Sequence, residues 1–231
     1  MFIQQNKLYM HLDTVIFDMD GLLIDSEPLW QEAAEEVLER WEIRLTNEQY
    51  HQSTGLGTKP FLEKWMKPLH PDAQLLATTE KEIVAGVVEK VRLKADPLPG
   101  VPEIFSLFKS RNFKIGLATS SPFSLIRVVT EKLGLNDALS AISSGTGLPF
   151  SKPHPQVYLN CAAELGSEPT ACICFEDSFN GMIAAKAARM VCVVIPAQPF
   201  RKETRWDAAD LKLDSLLEFS GAVLDVILAK H

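Results

Sequence analysis

Five short runs, residues 14–17, 114–118, 139–142, 171–175 and 191–195, are rich in β-branched and other apolar residues and are for the most part apolar on both faces. A strand without a polar face cannot border water, so it belongs inside a parallel sheet covered by helices on both sides. The stretches 101–110, 124–133, 155–165 and 179–188, and the closing stretch 216–229, instead carry their apolar residues at helical spacing. Strand alternating with helix predicts right-handed crossovers and a doubly wound α/β fold with a parallel, Rossmann-like sheet.

One segment breaks the alternation. Residues 27–96 hold no convincing strand, while Leu29, Trp30, Ala33, Ala34, Val37, Leu38 and Trp41, and then Leu76, Ile83, Val84, Val87, Val88 and Val91, recur at helical spacing. This predicts an inserted α-helical cap domain, with Trp30, Trp41 and Trp65 in its apolar core. The turn-rich Asp96-Pro97-Leu98-Pro99-Gly100 is the hinge back to the sheet. The expected division is therefore a catalytic core of residues 1–26 and 97–231, interrupted by a cap of residues 27–96. A chain of 231 residues can bury one substantial core and a smaller second one.

Composition removes several functions. Lys and Arg total 23 against 30 Asp and Glu, a net charge of −7, so no basic field draws in nucleic acid or anionic lipid. The longest apolar runs fall far short of a membrane span, and residues 1–13 show no leader-like pattern, so a cytoplasmic protein without membrane partners is expected. Cys172 and Cys174 alternate along one apolar run and Cys192 sits inside another, which reads as buried thiols; no Cys or His spacing suits zinc.

The chemistry lies where the runs stop. The first ends at Asp18-Met19-Asp20-Gly21, the second at Thr119-Ser120-Ser121 and the fourth at Glu176-Asp177-Ser178; the third is followed by Ser151-Lys152-Pro153-His154-Pro155. Ligands of open α/β sheets bind outside the carboxyl ends of the strands, so these residues are expected in one crevice. Asp18 and Asp20 leave one edge about 7 Å apart if the backbone stays extended, a gap that holds a phosphoryl group between an attacking oxygen and a proton donor. Four carboxylates there sum to −4, and each pair near 4 Å costs about 4 kcal/mol at an effective dielectric of 20. A cation is required. Oxygen ligands from Asp18, Asp177 and a main-chain carbonyl suit Mg²⁺, which with Lys152 returns +3 and leaves room for a phosphate dianion. Ser120 and Ser121 compete with Thr119 for the phosphate-facing role, and His154 is a rigid loop position between prolines.

In that order and spacing, Asp18-Met19-Asp20-Gly21 with Asp25-Ser26, Thr119, Lys152-Pro153-His154-Pro155 and Glu176-Asp177-Ser178-Phe179-Asn180-Gly181 resemble the four motifs of the haloacid dehalogenase superfamily. A cap placed after the first motif is similar to the β-phosphoglucomutase-like branch. Residues 148–158 and 181–190 look like its hexitol phosphatase, or 2-deoxyglucose-6-phosphate phosphatase, group. The resemblance implies a Mg²⁺-dependent phosphatase of small sugar or sugar-alcohol phosphates, monomeric, working through an aspartyl-phosphate. Asp18 would be the nucleophile and Asp20 the general acid and base. Asp18, Asp20 and Asp177 would hold the metal, with Glu176 behind them; Thr119, Ser120 and Lys152 would bind the phosphoryl group. Asp25 would lie near the cap hinge. Substrate choice would rest on Gly55, Thr58 and Lys59 of the cap; many relatives carry an arginine just after this glycine turn, where this chain has Gly57 and Thr58. A sugar phosphomutase shares every core motif, and a non-catalytic sugar-phosphate-binding protein would keep the fold; these are the alternatives.

Overall fold

The computed structural model describes residues 11–231. The first ten residues of the expected 1–26 segment, and most of the stretch read as lacking a leader, lie outside the described residues. Six strands, β1 (Thr14–Phe17), β2 (Lys114–Thr119), β3 (Ala141–Ser144), β4 (Cys172–Glu176), β5 (Val191–Val194) and β6 (Leu211–Lys212), form one sheet in the order β3-β2-β1-β4-β5-β6. Every pairing is parallel. The order reverses beside β1, so the crevice expected of such sheets opens at the carboxyl ends of β1, β2 and β4.

The two faces of the sheet are packed differently because strand side chains alternate. Val15 and Phe17, Ile173 and Phe175, and Val191 and Val193 face one core; Ile16, Cys172, Cys174, Cys192 and Val194 face the other. On the first side Phe17 stacks on Phe105 of helix α5 (Val101–Ser110) at 4.8 Å and on Phe175 at 5.1 Å. On the second side small cysteines and alanines let α7 (Gln156–Glu164) and α8 (Phe179–Ala187) approach closely. All four cysteines are buried free thiols.

Between β1 and α5 run α1 (Glu27–Leu38), α2 (Asn47–His51), α3 (Thr58–Trp65) and α4 (Ala73–Lys94), and no strand. Helix α4 packs on α1, on α3 and on α6 (Phe123–Leu133) of the sheet layer. The chain enters and leaves this insertion side by side. Asp25 N–H donates to Asp96 O at 3.1 Å and Leu98 N–H to Leu23 O at 3.1 Å, while Ile24 and Pro97 form an antiparallel bridge. Helix α2 starts at a capping box, in which Thr46 and Gln49 exchange side-chain and backbone hydrogen bonds.

Several boundaries differ from the sequence reading. Strand β3 lies two residues later than 139–142, because Ser143 and Ser144 are buried in it; Ser144 Oγ donates to Ser121 O at 2.6 Å, which satisfies the hydroxyl. The two-residue β6 is too short to carry a pattern. The closing helix is two pieces: a 3₁₀ turn (Leu216–Glu218), then α9 (Gly221–Lys230), whose N-cap Ser220 accepts from Val223 N–H. Phe219 between them inserts against Phe108 and Phe175. Trp41 is not core. Helix α1 ends at Leu38, a 3₁₀ turn changes the phase of the stripe, and Trp41 is 38% exposed.

Candidate active site

Asp18 follows β1 directly and is held in line with the sheet by its backbone N–H, which donates to Phe175 O at 3.0 Å. Lys152 reaches it from the loop after β3. Its ammonium donates to Asp18 Oδ1 at 2.5 Å and to Glu176 Oε1 at 2.6 Å, with Ala118 O at 3.2 Å and the Tyr158 hydroxyl at 3.1 Å. Lys152 is 2% exposed. Burial opposes its charge, but Asp18 and Glu176 outweigh that and push its pKa up, so the side chain stays an ammonium. The three N–H bonds of Lys152 are therefore committed to protein oxygens, with two carboxylates as the charged partners.

Glu176 ends β4 completely enclosed. Besides Lys152 it accepts from the Tyr158 hydroxyl, from Ser178 Oγ at 3.0 Å and from the backbone N–H groups of Asp177 and Ser178 at 3.2 and 3.3 Å. Ser178 Oγ in turn accepts from Gly181 N–H and caps α8. This explains Gly181: a Cβ there would lie on top of the Glu176 carboxylate, so the helix can come this close only with glycine.

Asp18, Glu176 and Asp177 place carboxylate oxygens within 4.8 Å of one another, all three buried. Burial raises the pKa of Asp18 well above the usual carboxylate range; Lys152 pulls it down and Glu176 and Asp20 push it up. Asp177 is raised in the same way by burial, then by Glu176, Asp18 and Glu27. A crowded, dry, oxygen-only donor set of this kind fits a hard divalent cation. Glu176 is saturated by its own donors, which leaves Asp18 and Asp177 as the carboxylates able to turn to an ion.

Asp20 follows Asp18 by two residues, but its carboxylate is engaged elsewhere. Its side chain is outside the acidic cluster: Oδ1 accepts from Ser26 Oγ at 2.7 Å and Trp30 Nε1 at 2.9 Å, and Oδ2 from Ser121 Oγ at 2.6 Å and Thr119 Oγ1 at 3.4 Å. Only its main chain remains for an ion. Thr119, 1% exposed, also accepts from Ser121 N–H at 3.1 Å. Ser120 points to the insertion, donating to Gly55 O at 2.9 Å.

A cavity of about 580 Å³ opens over Asp18, Asp20, Thr119, Ser120 and Asp177. Its roof is the insertion: Trp30 and Gln31 of α1, Asn47, Tyr50 and His51 of α2, and the loop from Ser53 to Thr58. Gly55 closes onto the sheet layer with φ +81°, and Asn180 Nδ2 donates to the neighbouring Thr54 O at 3.0 Å. Gly55 and Thr58 line the cavity. Lys59 does not; its side chain is exposed on the outer side of α3, 4.0 Å from Glu63. Asp25 is exposed at the paired entry to the insertion, and His154 is exposed beside Phe150.

Residues to which the motifs assign no role complete the site. Ser26 and Trp30, four apart at the start of α1, share one face and meet at one oxygen, a spacing readable from the chain. Glu27 lines the cavity with its pKa pushed up to about 7, mainly by burial and then by Asp20. Tyr158, in the first turn of α7 and six residues after Lys152, accepts from its ammonium. Arg205 enters the cavity wall from the 3₁₀ segment Thr204–Ala208, its guanidinium paired with Glu203.

Residues 12–189 match the family described as hydrolase, haloacid dehalogenase-like hydrolase. The chain is 40% identical over 206 residues to hexitol phosphatase B of Escherichia coli (strain K12), covering 89% of this chain and 93% of that protein. It is 30% identical over 190 residues to a fructose-1-phosphate phosphatase of the same strain, covering 80% and 97%. Among solved structures, β-phosphoglucomutase from Clostridium difficile superposes with a TM-score of 0.84 at 22% identity over 95% of this chain and 98% of that one, a likeness of fold. A match to this family over residues 12–189, about three quarters of the chain, on a sheet that carries the four motifs to one crevice, makes the chain a member of the haloacid dehalogenase-like hydrolases, with the β-phosphoglucomutase fold.

Proposed function

We propose that the protein is a Mg²⁺-dependent phosphatase that hydrolyses small sugar or sugar-alcohol phosphates through an aspartyl-phosphate. That it is a phosphoric monoester hydrolase follows from its family and from relatives named as phosphatases. The observation that carries the reading is Asp18 at the cavity floor, one oxygen fixed by a buried ammonium and the other left to attack. Relatives named for hexitol phosphate and fructose 1-phosphate support a sugar or polyol ester as substrate.

In this mechanism Asp18 Oδ2 forms a bond to phosphorus as the ester P–O bond breaks, and Asp20 gives its proton to the departing alcohol oxygen. A water then attacks the phosphorus of the aspartyl-phosphate. Asp20 takes the proton of that water, and inorganic phosphate leaves Asp18 as a carboxylate. Asp18, Asp177 and the main chain at Asp20 would hold magnesium, which when bound neutralises the acidic cluster and the phosphoryl oxygens. Lys152 keeps Asp18 and Glu176 compatible in one dry site. Thr119 and Ser121 hold Asp20, and Ser120 ties the roof loop down. The insertion, residues 27–96, acts as a cap that shields the site from bulk water and selects the alcohol through Gly55, Thr58 and the α2 side chains.

Water rather than a second sugar hydroxyl as acceptor is supported by the charge of the cavity wall. A mutase must seat a second phosphoryl group at the distal end. Among the described residues, the one Lys or Arg lining the cavity is Arg205, and Glu203 engages it. A panel of about forty phosphate esters, scored by kcat/KM with and without Mg²⁺, tests the assignment. Phosphate release from sugar or polyol esters, abolished in Asp18→Asn, is expected; normal turnover by that variant overturns it. Isomerisation of β-glucose 1-phosphate without phosphate release would make the protein a mutase.

A further inference from the structure

The two oxygens of Asp20 are held by different kinds of donor. Oδ1 meets the indole N–H of Trp30 at 2.9 Å and the Ser26 hydroxyl at 2.7 Å. Oδ2 meets two hydroxyls, Ser121 at 2.6 Å and Thr119 at 3.4 Å. An indole N–H donates and cannot accept, so the oxygen it faces carries no proton; a hydroxyl can reverse its role and accept instead. We propose that Trp30, with Ser26, is a positioning residue that fixes Asp20 so that Oδ2 is the oxygen that carries and delivers the proton.

The inference rests on the phosphatase reading and refines it. The proton on Oδ2 passes to the ester oxygen as the P–O bond breaks and the bond from Asp18 to phosphorus forms. Oδ2 then recovers a proton from the water that attacks the aspartyl-phosphate, releasing inorganic phosphate. Throughout, Oδ1 keeps both of its donors. Trp30 lies in the first helix of the insertion and Ser26 is the N-cap residue of that helix, whereas Thr119 ends β2 and Ser121 follows it. Asp20 is thus oriented jointly by cap and core, and it reaches its working geometry only where both meet.

General acid assistance matters for a poor leaving group such as a sugar alcohol and not for p-nitrophenolate, which departs without a proton. The test compares kcat/KM, which reports the steps through transfer to Asp18, for the best polyol ester of the panel and for p-nitrophenyl phosphate. In Trp30→Phe, where the ring stays and the donor is lost, the polyol value is expected to fall about 10- to 100-fold and the aryl value by no more than about 3-fold. Ser26→Ala removes the second donor at the same oxygen. Ser26 is buried beside Asp20 and does not line the cavity, so the same selective loss there cannot come from lost substrate contact. Equal losses on both esters in both variants, or no loss on either, overturn the inference while leaving the hydrolase reading intact. A wild-type protein that releases phosphate from neither ester refutes that reading, and the inference with it.

Discussion

Replacing Lys152 by methionine keeps the length of the side chain and removes the buried cation that pairs with Asp18 and Glu176. The side chains of the three residues are 1%, 8% and 0% exposed, so water cannot take the place of the ammonium. Breaking a buried ion pair from one side costs roughly 3–5 kcal/mol, because the remaining charge stays buried and uncompensated. In a protein of this size each kcal/mol lowers the melting temperature by about 2–4 °C, so Lys152→Met should melt about 6–20 °C below the wild type at pH 8 in chelator. The deficit has a definite pH dependence. Burial already raises Asp18, and Lys152 is the group that opposes the rise. Without it the folded state binds still more protons than the unfolded one, so stability falls as pH rises and is recovered as pH falls. Differential scanning calorimetry at pH 5 and pH 8 should therefore show the gap narrowing at pH 5, and Mg²⁺ at pH 8 should restore part of the loss. A melting temperature within about 2 °C of the wild type at both pH values would show that Lys152 does not compensate these carboxylates.

Other outcomes follow from the same site. Gly181→Ala forces a methyl group against the Glu176 carboxylate, itself pinned by Lys152, Tyr158 and Ser178; a loss of about 1–3 kcal/mol in urea unfolding is expected, and a change under about 0.5 kcal/mol contradicts the close approach. Asp18 and Asp177 are both raised, burial being the main cause, so the folded wild type in chelator binds extra protons. Its stability should decline as pH climbs from the ordinary carboxylate range toward 8, and excess Mg²⁺ should flatten the decline; a flat profile in chelator contradicts the account of the cluster. Ser120→Ala with Asn180→Ala removes two hydrogen bonds that hold residues 54–55, each worth about 0.5–1.5 kcal/mol, and hydrogen exchange over residues 53–57 should quicken. Unchanged exchange there would mean that the roof loop is held by other contacts.

What was legible in the sequence was what repeats or what ends a strand. The doubly apolar strands β1, β2, β4 and β5 can exist only inside a covered parallel sheet, and they place Asp18, Thr119 and Glu176-Asp177 at one edge without any knowledge of the loops. Strand β3 was harder because its second half is serine, acceptable in a core only because the Ser121 carbonyl receives one hydroxyl. Trp30 reads as apolar core by periodicity, since spacing reports the buried face of a helix and not what its one polar atom reaches. Lys59 is the nearest cation to the glycine turn in sequence, yet it is one residue past Thr58 on α3, and the rotation of about 100° per residue turns it to the outer face. Asp20 looks like a metal ligand beside Asp18, and spacing alone keeps the two on one face; the turn that starts at Asp20 and the helix that follows it bring Ser26 and Trp30 to its carboxylate, with Thr119 and Ser121 from the end of β2, and leave its main chain for an ion.

The proposed hydrolysis passes through a covalent bond between Asp18 and phosphorus. Rapid acid quench during the first turnovers, followed by borohydride reduction and mass spectrometry of the peptides, converts an aspartyl-phosphate to homoserine at the residue that carried it. Homoserine at position 18, absent when substrate is omitted, is the predicted result. Normal phosphate release with no reduced aspartate, or with the reduction at another carboxylate, would contradict it.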